Sequence, residues 1–176
     1  MATWVALIRG INVGGRRKLA MADLRTVLAS LGHEDVTTYV QSGNAVFRAT
    51  GREAAIADAI EAAIGEAHGL DVTVLLRTPR QLRAVAARRP FGGAPTSELH
   101  VVFLDRTPTA SAARRVDPDR SPPDEFRLHG RELYLRLPAG AGRTKLTLDY
   151  LERQLGVRGT HRNWNTVTRL AELAAR

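Results

Sequence analysis

The order in which two hydrophobic periodicities alternate along the first half of the chain restricts its fold more than any other feature. Trp4–Ile8 is a continuous apolar run of strand length, and Met21, Leu24, Val27, Leu28 and Leu31 then recur at helical spacing up to Gly32. Val36–Val40 and Ala45–Arg48 are β-rich runs around Gln41-Ser42-Gly43-Asn44, whose turn chemistry joins them as a hairpin. Arg52–His68 reads as an alanine-rich helix with Ile56, Ile60 and Ile64 on one face and Gly69 behind it, and Val72–Leu76 is a further strand. The order βαββαβ predicts a split βαβ unit of ferredoxin type over residues 1–78.

Residues 79–176 predict an imperfect second copy. A helix from Pro79 to Arg88 opens it, and the Pro/Gly-rich stretch Arg89–Ser97 marks the joint between the halves. A strand at Leu99–Leu104, a short helix near Ala110–Arg115, a loop to Asp124 and a hairpin of Glu125–Leu128 and Glu132–Leu137 around His129-Gly130 follow. Helices at Leu146–Leu155 and Thr166–Ala175 close the chain, with a short strand near Val157–Thr160. The expected fold class is therefore α+β, two ferredoxin-like halves packed together, the second incomplete or modified.

A strand with one wet face alternates in polarity, and the first strand does not. Trp4, Ala6 and Ile8 share one face and Val5 and Leu7 the other; Leu99, Val101 and Phe103 likewise oppose Val102 and Leu104. Apolar cover is expected on both faces of each sheet, from the packing of the two halves or from a homodimer.

Charge and composition exclude several classes. The 176 residues contain no cysteine, which removes disulfides, thiolate catalysis and cysteine-ligated metal. The five histidines show no H-x-x-x-H spacing, and neither a carboxylate cluster nor a cofactor motif is present, so no metal or cofactor is expected. No apolar run reaches the roughly 18 to 20 residues of a membrane span, and no basic segment precedes Trp4–Ile8 as a secretory signal requires, so a cytoplasmic protein without membrane contact is expected. The net charge of +8 favours acidic partners. Yet the cations are scattered, without blocks of about five or six, and a solvated basic surface outweighs a nucleic-acid footprint. The strands also lack the aromatic pairs with which ferredoxin-type RNA modules stack bases. Among 26 cations only Lys18 and Lys145 are lysine, which singles them out.

The crossover rule brings separate motifs together. In a βαββαβ unit the first two strands are parallel, so the segment RGINVGGRRKL (Arg9–Leu19) and the turn QSGN leave the sheet at one edge. Arg9, Asn12, Lys18, Gln41, Ser42 and Asn44 are then expected around one polar pocket, beside a helix N-terminus whose free N–H groups suit an anion. Gly10 and Gly15 match the start of a phosphate-binding P-loop, but Arg16 and Arg17 stand where Lys and Ser/Thr are required. Nor is the surrounding order a run of parallel βαβ units, so a mononucleotide triphosphatase is not expected. The segments GRRKLAMADLRTVL and GRTKLTLDYLERQL share six of fourteen positions, with THRNWN (Thr160–Asn165) expected in the place that QSGN holds in the first copy. That echo suggests a second cluster of Arg143, Lys145, Thr160, Arg162, Asn163 and Asn165, with Trp164 as a flat wall for a base or sugar. The alternative makes Asn163 or Asn165 a helix cap and Trp164 a core residue, and is favoured.

RGINVGG, QSGN and RNWNTV, in this order, closely resemble the bacterial family catalogued as domain of unknown function 1697. The resemblance implies an α+β fold of ferredoxin-like pieces and no established activity. Ala20 replaces a proline common before Met21, and His161 a threonine, which argues against a family-wide catalytic role for His161. The leading functional expectation is binding of a small anionic, phosphate-bearing ligand by Arg9, Lys18, Arg143, Lys145 and Arg162, with Asn12, Gln41, Ser42, Asn44 and Asn165 orienting it. If the chain is an enzyme, transfer or hydrolysis at a phosphate or acyl group is expected. A non-catalytic nucleic-acid-binding module and an assembly protein without ligand are the alternatives.

Overall fold

In the computed structural model, which describes residues 1–176, strand β1 (Ala2–Arg9) lies between β3 (Asn44–Ala49) and β4 (Thr73–Arg77), antiparallel to both. Strand β2 (Glu34–Tyr39) adds to the outer side of β3, giving the order β2-β3-β1-β4. Trp4 faces Phe47 and Val5 faces Val46 across the β1–β3 ladder. Helix α1 (Met21–Ser30) buries Leu24, Val27 and Leu28, and α2 (Glu53–His68) buries Ile56, Ile60 and Ile64, the stripes predicted from their spacing. Both stripes join one core with Trp4, Ala6, Ile8, Phe47 and Val74. Gly69 ends α2 in the left-handed conformation at φ 65, its N–H returning to the Gly65 carbonyl.

Helix α3 (Pro79–Arg88) has the predicted bounds. Strand β5 (Leu99–Leu104) then repeats the scheme with α4 (Ala110–Ala113), β6 (Glu125–His129), β7 (Glu132–Arg136), α5 (Leu148–Leu155) and β8 (Gly159–Asn163) in the order β6-β7-β5-β8. Helix α6 (Trp164–Ala174) follows. The chain is thus α+β with two ferredoxin-like halves. The second is modified by reduction of its first helix to the four residues of α4, capped where the Thr109 hydroxyl accepts the Ala112 N–H. Its core packs Val102, Leu104, Leu133 and Leu135 with Leu151 and Leu155 of α5. By contact, Met1–Arg83 with Arg169–Arg176 form one unit and Ala84–Thr168 the other.

The strand orders correct the expected equivalence of GRRKL and GRTKL. Strand β5 is central as β1 is, and β7 matches β3. GRRKL follows β1, whereas GRTKL follows β7, so its counterpart is Thr50–Arg52. THRN lies on β8, the counterpart of β4, and the counterpart of QSGN is the His129-Gly130 hairpin. The shared letters do not mark equivalent places.

Candidate functional site

Strand β3 is antiparallel to both β1 and β2, so those two are parallel and end at one edge. Leu7 and Tyr39 both pair with Asn44 there. Beyond that row the Ile8 N–H donates to the Gly43 carbonyl at 2.8 Å. The RGINVGG loop and the QSGN turn therefore meet, as the crossover argument requires.

Asn12 joins them. Its Nδ2 donates to the Leu19 carbonyl at 2.8 Å and to the Gln41 carbonyl at 2.7 Å, while its Oδ1 accepts the Leu19 N–H at 2.9 Å. The loop closes on itself where the Asn12 N–H reaches the Arg17 carbonyl at 3.1 Å, and the buried Ile11 and Leu19 anchor its two ends. The turn has its own clip in Asn44, 0% exposed, whose Nδ2 donates to the Tyr39 carbonyl at 3.0 Å and to the Ser42 hydroxyl at 2.9 Å. Gly43 is fixed by space as well as by its φ of +84, because a Cβ there would meet Ile11 Cδ1 at 2.9 Å and the Ile8 carbonyl at 3.0 Å. Three non-glycine residues here also have positive φ: Asn12 at 54, Arg17 at 53 and Val40 at 50.

Between loop and turn lies a cavity of about 340 Å³ lined by Asn12, Gly15, Lys18, Leu19, Ala20 and Gln41. Ala20 is the N-cap of α1 and supplies no side-chain acceptor, so the first-turn N–H groups of that helix have no side-chain cap. Arg16, Arg17 and Lys18 are exposed; Lys18 lines the cavity, and Arg17 Nη2 donates to the Asp71 carbonyl. Of the residues expected at this edge, Asn12, Lys18 and Gln41 line the cavity; Arg9, Ser42 and Asn44 do not. Asn44 corrects the expectation of a ligand-orienting amide, because its side chain is buried holding the turn.

In the other unit β7 and β8 are both antiparallel to β5, so GRTKL and RNWN also leave at one edge, where Leu99 pairs with Arg136 and His100 with Asn163. The side chains do not assemble the expected cluster. Asn163 Oδ1 accepts the Thr166 N–H at 2.9 Å and caps α6, while Trp164, 4% exposed, belongs to the core and offers no face to a base. Arg162 is buried, its Nη1 donating to the Thr160 hydroxyl at 2.7 Å and the His161 carbonyl at 2.8 Å, and burial lowers its pKa to about 10. The Lys145 backbone is held by Ser121 Oγ and Arg120 Nε, each at 2.9 Å. Arg143, Lys145 and Asn165 are exposed, and none of the six expected residues lines the nearby cavity of only about 60 Å³, which Thr144, Thr147 and His161 border among aliphatic side chains.

Sequence spacing gave no sign of the contact between His100 and His161, 61 positions apart, where His161 Nε2 lies 2.9 Å from His100 Nδ1. Burial, the neighbouring imidazole and the Arg162 charge push the His161 pKa down to about 4, and burial lowers that of His100. Nor did it mark Leu19 and Ala20 as cavity walls, since both read simply as the approach to α1.

No curated protein matches the chain. Among solved structures, a conserved bacterial protein from Streptococcus pneumoniae shares its fold with a TM-score of 0.76 at 19% identity, over 100% of this chain and 99% of that one. No helix is long and apolar enough to cross a membrane. Residues 1–134, which include the whole of the Asn12 loop and the Gln41–Asn44 turn, match the family model described as protein of unknown function DUF1697, and the chain belongs to that family.

Proposed function

We propose that the chain binds a small anionic, phosphate-bearing ligand in the cavity between the RGINVGG loop and the QSGN turn. The observation that carries this reading is the coincidence of Lys18 and the side-chain-uncapped amino end of α1 at one cavity of about 340 Å³. An ammonium group and aligned backbone N–H donors attract the same charge, and neither is neutralised by a carboxylate in the cavity wall. Asn12 shapes the site through the backbone, and the exposed Gln41 amide supplies an orienting hydrogen bond. The lining contains no carboxylate, imidazole or hydroxyl, which leaves Lys18 as its one side chain able to serve as a base or nucleophile and favours binding over chemistry that needs a paired acid and base.

Thermal-shift screening against nucleotides, sugar phosphates and other phosphorylated metabolites tests the reading. A ligand that raises the unfolding midpoint should lose about tenfold or more in affinity in Lys18→Ala, as expected when a charge-assisted hydrogen bond is removed. It should also bind more weakly as salt is raised. A ligand whose affinity is indifferent to Lys18, or the absence of any stabilising phosphate compound, refutes the pocket.

A further inference from the structure

The Pro/Gly-rich segment Pro90–Pro95 bounds a second cavity, of about 440 Å³, against Glu125 and Arg127 of β6 and Arg136 of β7. All of its wall belongs to the unit Ala84–Thr168. Strand geometry gathers the three charged side chains. Glu125 and Arg127 are two apart on β6 and share a face, and Arg136 pairs with Glu125 across the ladder, while Phe126 and Leu128 turn the other face to the core. Arg136 is engaged twice, its Nε donating to Glu98 Oε2 and its Nη1 to Glu125 Oε1, both at 2.9 Å. Glu125 Oε2 and Arg127 Nη2, by contrast, stand 3.8 Å apart, close enough to attract and too far to hydrogen-bond. Arg127 gives Nη1 to the Phe126 carbonyl at 2.8 Å and lies 5.4 Å over the Phe91 ring. On the loop side the Ala94 N–H closes a turn on the Phe91 carbonyl at 3.1 Å, and the N–H groups of Gly92 and Gly93 donate to no group of the chain. Gly93 serves that turn with its φ of +79. Gly92 has no positive φ, and a Cβ there would meet nothing within 4 Å, so neither conformation nor packing calls for a glycine. A bare backbone beside a cavity is explained by a ligand that comes close to the main chain.

We infer that this cavity takes a small zwitterion, a free α-amino acid, with its ammonium at Glu125 Oε2 and its carboxylate at Arg127 and the Gly92 and Gly93 N–H groups. The charges at the site balance, Arg127 and Arg136 against Glu98 and Glu125, so a ligand carrying both signs leaves none unpaired, whereas a phosphate would face Glu125. An α-amino acid holds its two charges on one carbon. It therefore spans neighbouring groups of opposite sign and adds charge-assisted hydrogen bonds that Glu125 Oε2 and Arg127 Nη2 do not make with each other. The assignment is independent of the anion pocket, in which none of these residues takes part.

The probes are the proteinogenic L-amino acids, titrated calorimetrically against the full chain, and then the N-acetyl and methyl ester forms of the tightest binder, each of which lacks one of the two charges. Loss of either charge should weaken binding about tenfold or more. Glu125→Gln should weaken the amino acid about tenfold and should not weaken its N-acetyl form, which has no ammonium. Arg127→Ala should weaken both, and Lys18→Ala neither. The Glu125 and Arg127 side chains are 39% and 59% exposed, so neither substitution opens the core. Amide resonances of Gly92 and Gly93 should move as the amino acid is added. Binding of no amino acid overturns the assignment. An acetylated or esterified form that binds as tightly as its parent also overturns it, as do amide shifts that fall at Asn12 and Gln41 instead of at the two glycines.

Discussion

Replacing Asn12 is the sharpest perturbation of the site's framework. Its amide makes three hydrogen bonds at 2.7, 2.8 and 2.9 Å, two donated to carbonyls and one accepted from the Leu19 N–H. At about 1 kcal/mol each these amount to about 3 kcal/mol. Alanine also tolerates the φ of 54 less well than asparagine, which adds up to about 1 kcal/mol. Asn12→Ala should therefore destabilise the loop by about 3 to 4 kcal/mol. Asn12→Asp preserves the shape but turns a carboxylate oxygen toward two carbonyl oxygens, so it should be at least as damaging at neutral pH. Urea denaturation of both variants, with amide exchange at Leu19 as the local probe, measures the loss; exchange detects loop opening even where global unfolding absorbs only part of it. If Asn12→Ala stays within about 1 kcal/mol of the unsubstituted protein, or Asn12→Asp is the more stable variant, the clip does not carry the loop.

Two further outcomes test other parts of the structure. Gly43→Ala should cost about 2 to 3 kcal/mol in urea denaturation, because its Cβ would lie 3.0 Å from the Ile8 carbonyl at a φ of +84; an unchanged midpoint refutes that close approach. His161 has a folded pKa of about 4, below its unfolded value of 6.5, so the unfolded chain takes up the proton first and stability falls as pH drops from 6.5 toward 4. Between pH 7.5 and pH 5 the loss from this group is about 2 kcal/mol, and His161→Thr should lose correspondingly less. His33, stacked on Phe47 with its pKa lowered by burial, contributes to both proteins alike, whereas His100 loses its imidazole neighbour in the variant, so the difference between their pH profiles measures the His100–His161 pair. Parallel profiles refute the effect.

The sheet topology was legible because the main elements of the first half carry their own periods: isoleucines four apart on α2, an unbroken apolar run at Trp4–Ile8 on β1 and a shorter one at Val74–Leu76 on β4. Convergence of the loop and the turn followed from the crossover connection that makes β1 and β2 parallel. Strand β8 was misplaced toward Val157, since Gly159–Asn163 has polar letters whose burial depends on tertiary partners, Arg162 on Thr160 among them. Its end and the start of α6 at Trp164 are set by the Asn163 cap, which the sequence permitted at Asn165 equally well. Asn12 and Asn44 were read as ligand contacts because an asparagine beside glycines looks alike whether it faces solvent or a carbonyl 29 positions away. The GRRKL and GRTKL echo misled for a related reason. A basic strand-to-helix joint recurs wherever a helix begins near the surface, whatever its place in the topology.

The bond from Asn12 to Gln41 also sets when the pocket can exist. Its two walls come from segments 29 positions apart, and they meet only after β3 has inserted between β1 and β2. A nascent chain that has made only the RGINVGG loop and α1 holds the lysine and the helix end but no cavity. On the proposed anion-binding reading, recognition therefore requires β1, β2 and β3 to be paired. A ligand of the proposed kind would bind only the state in which three strands are already paired, and would in return stabilise that state.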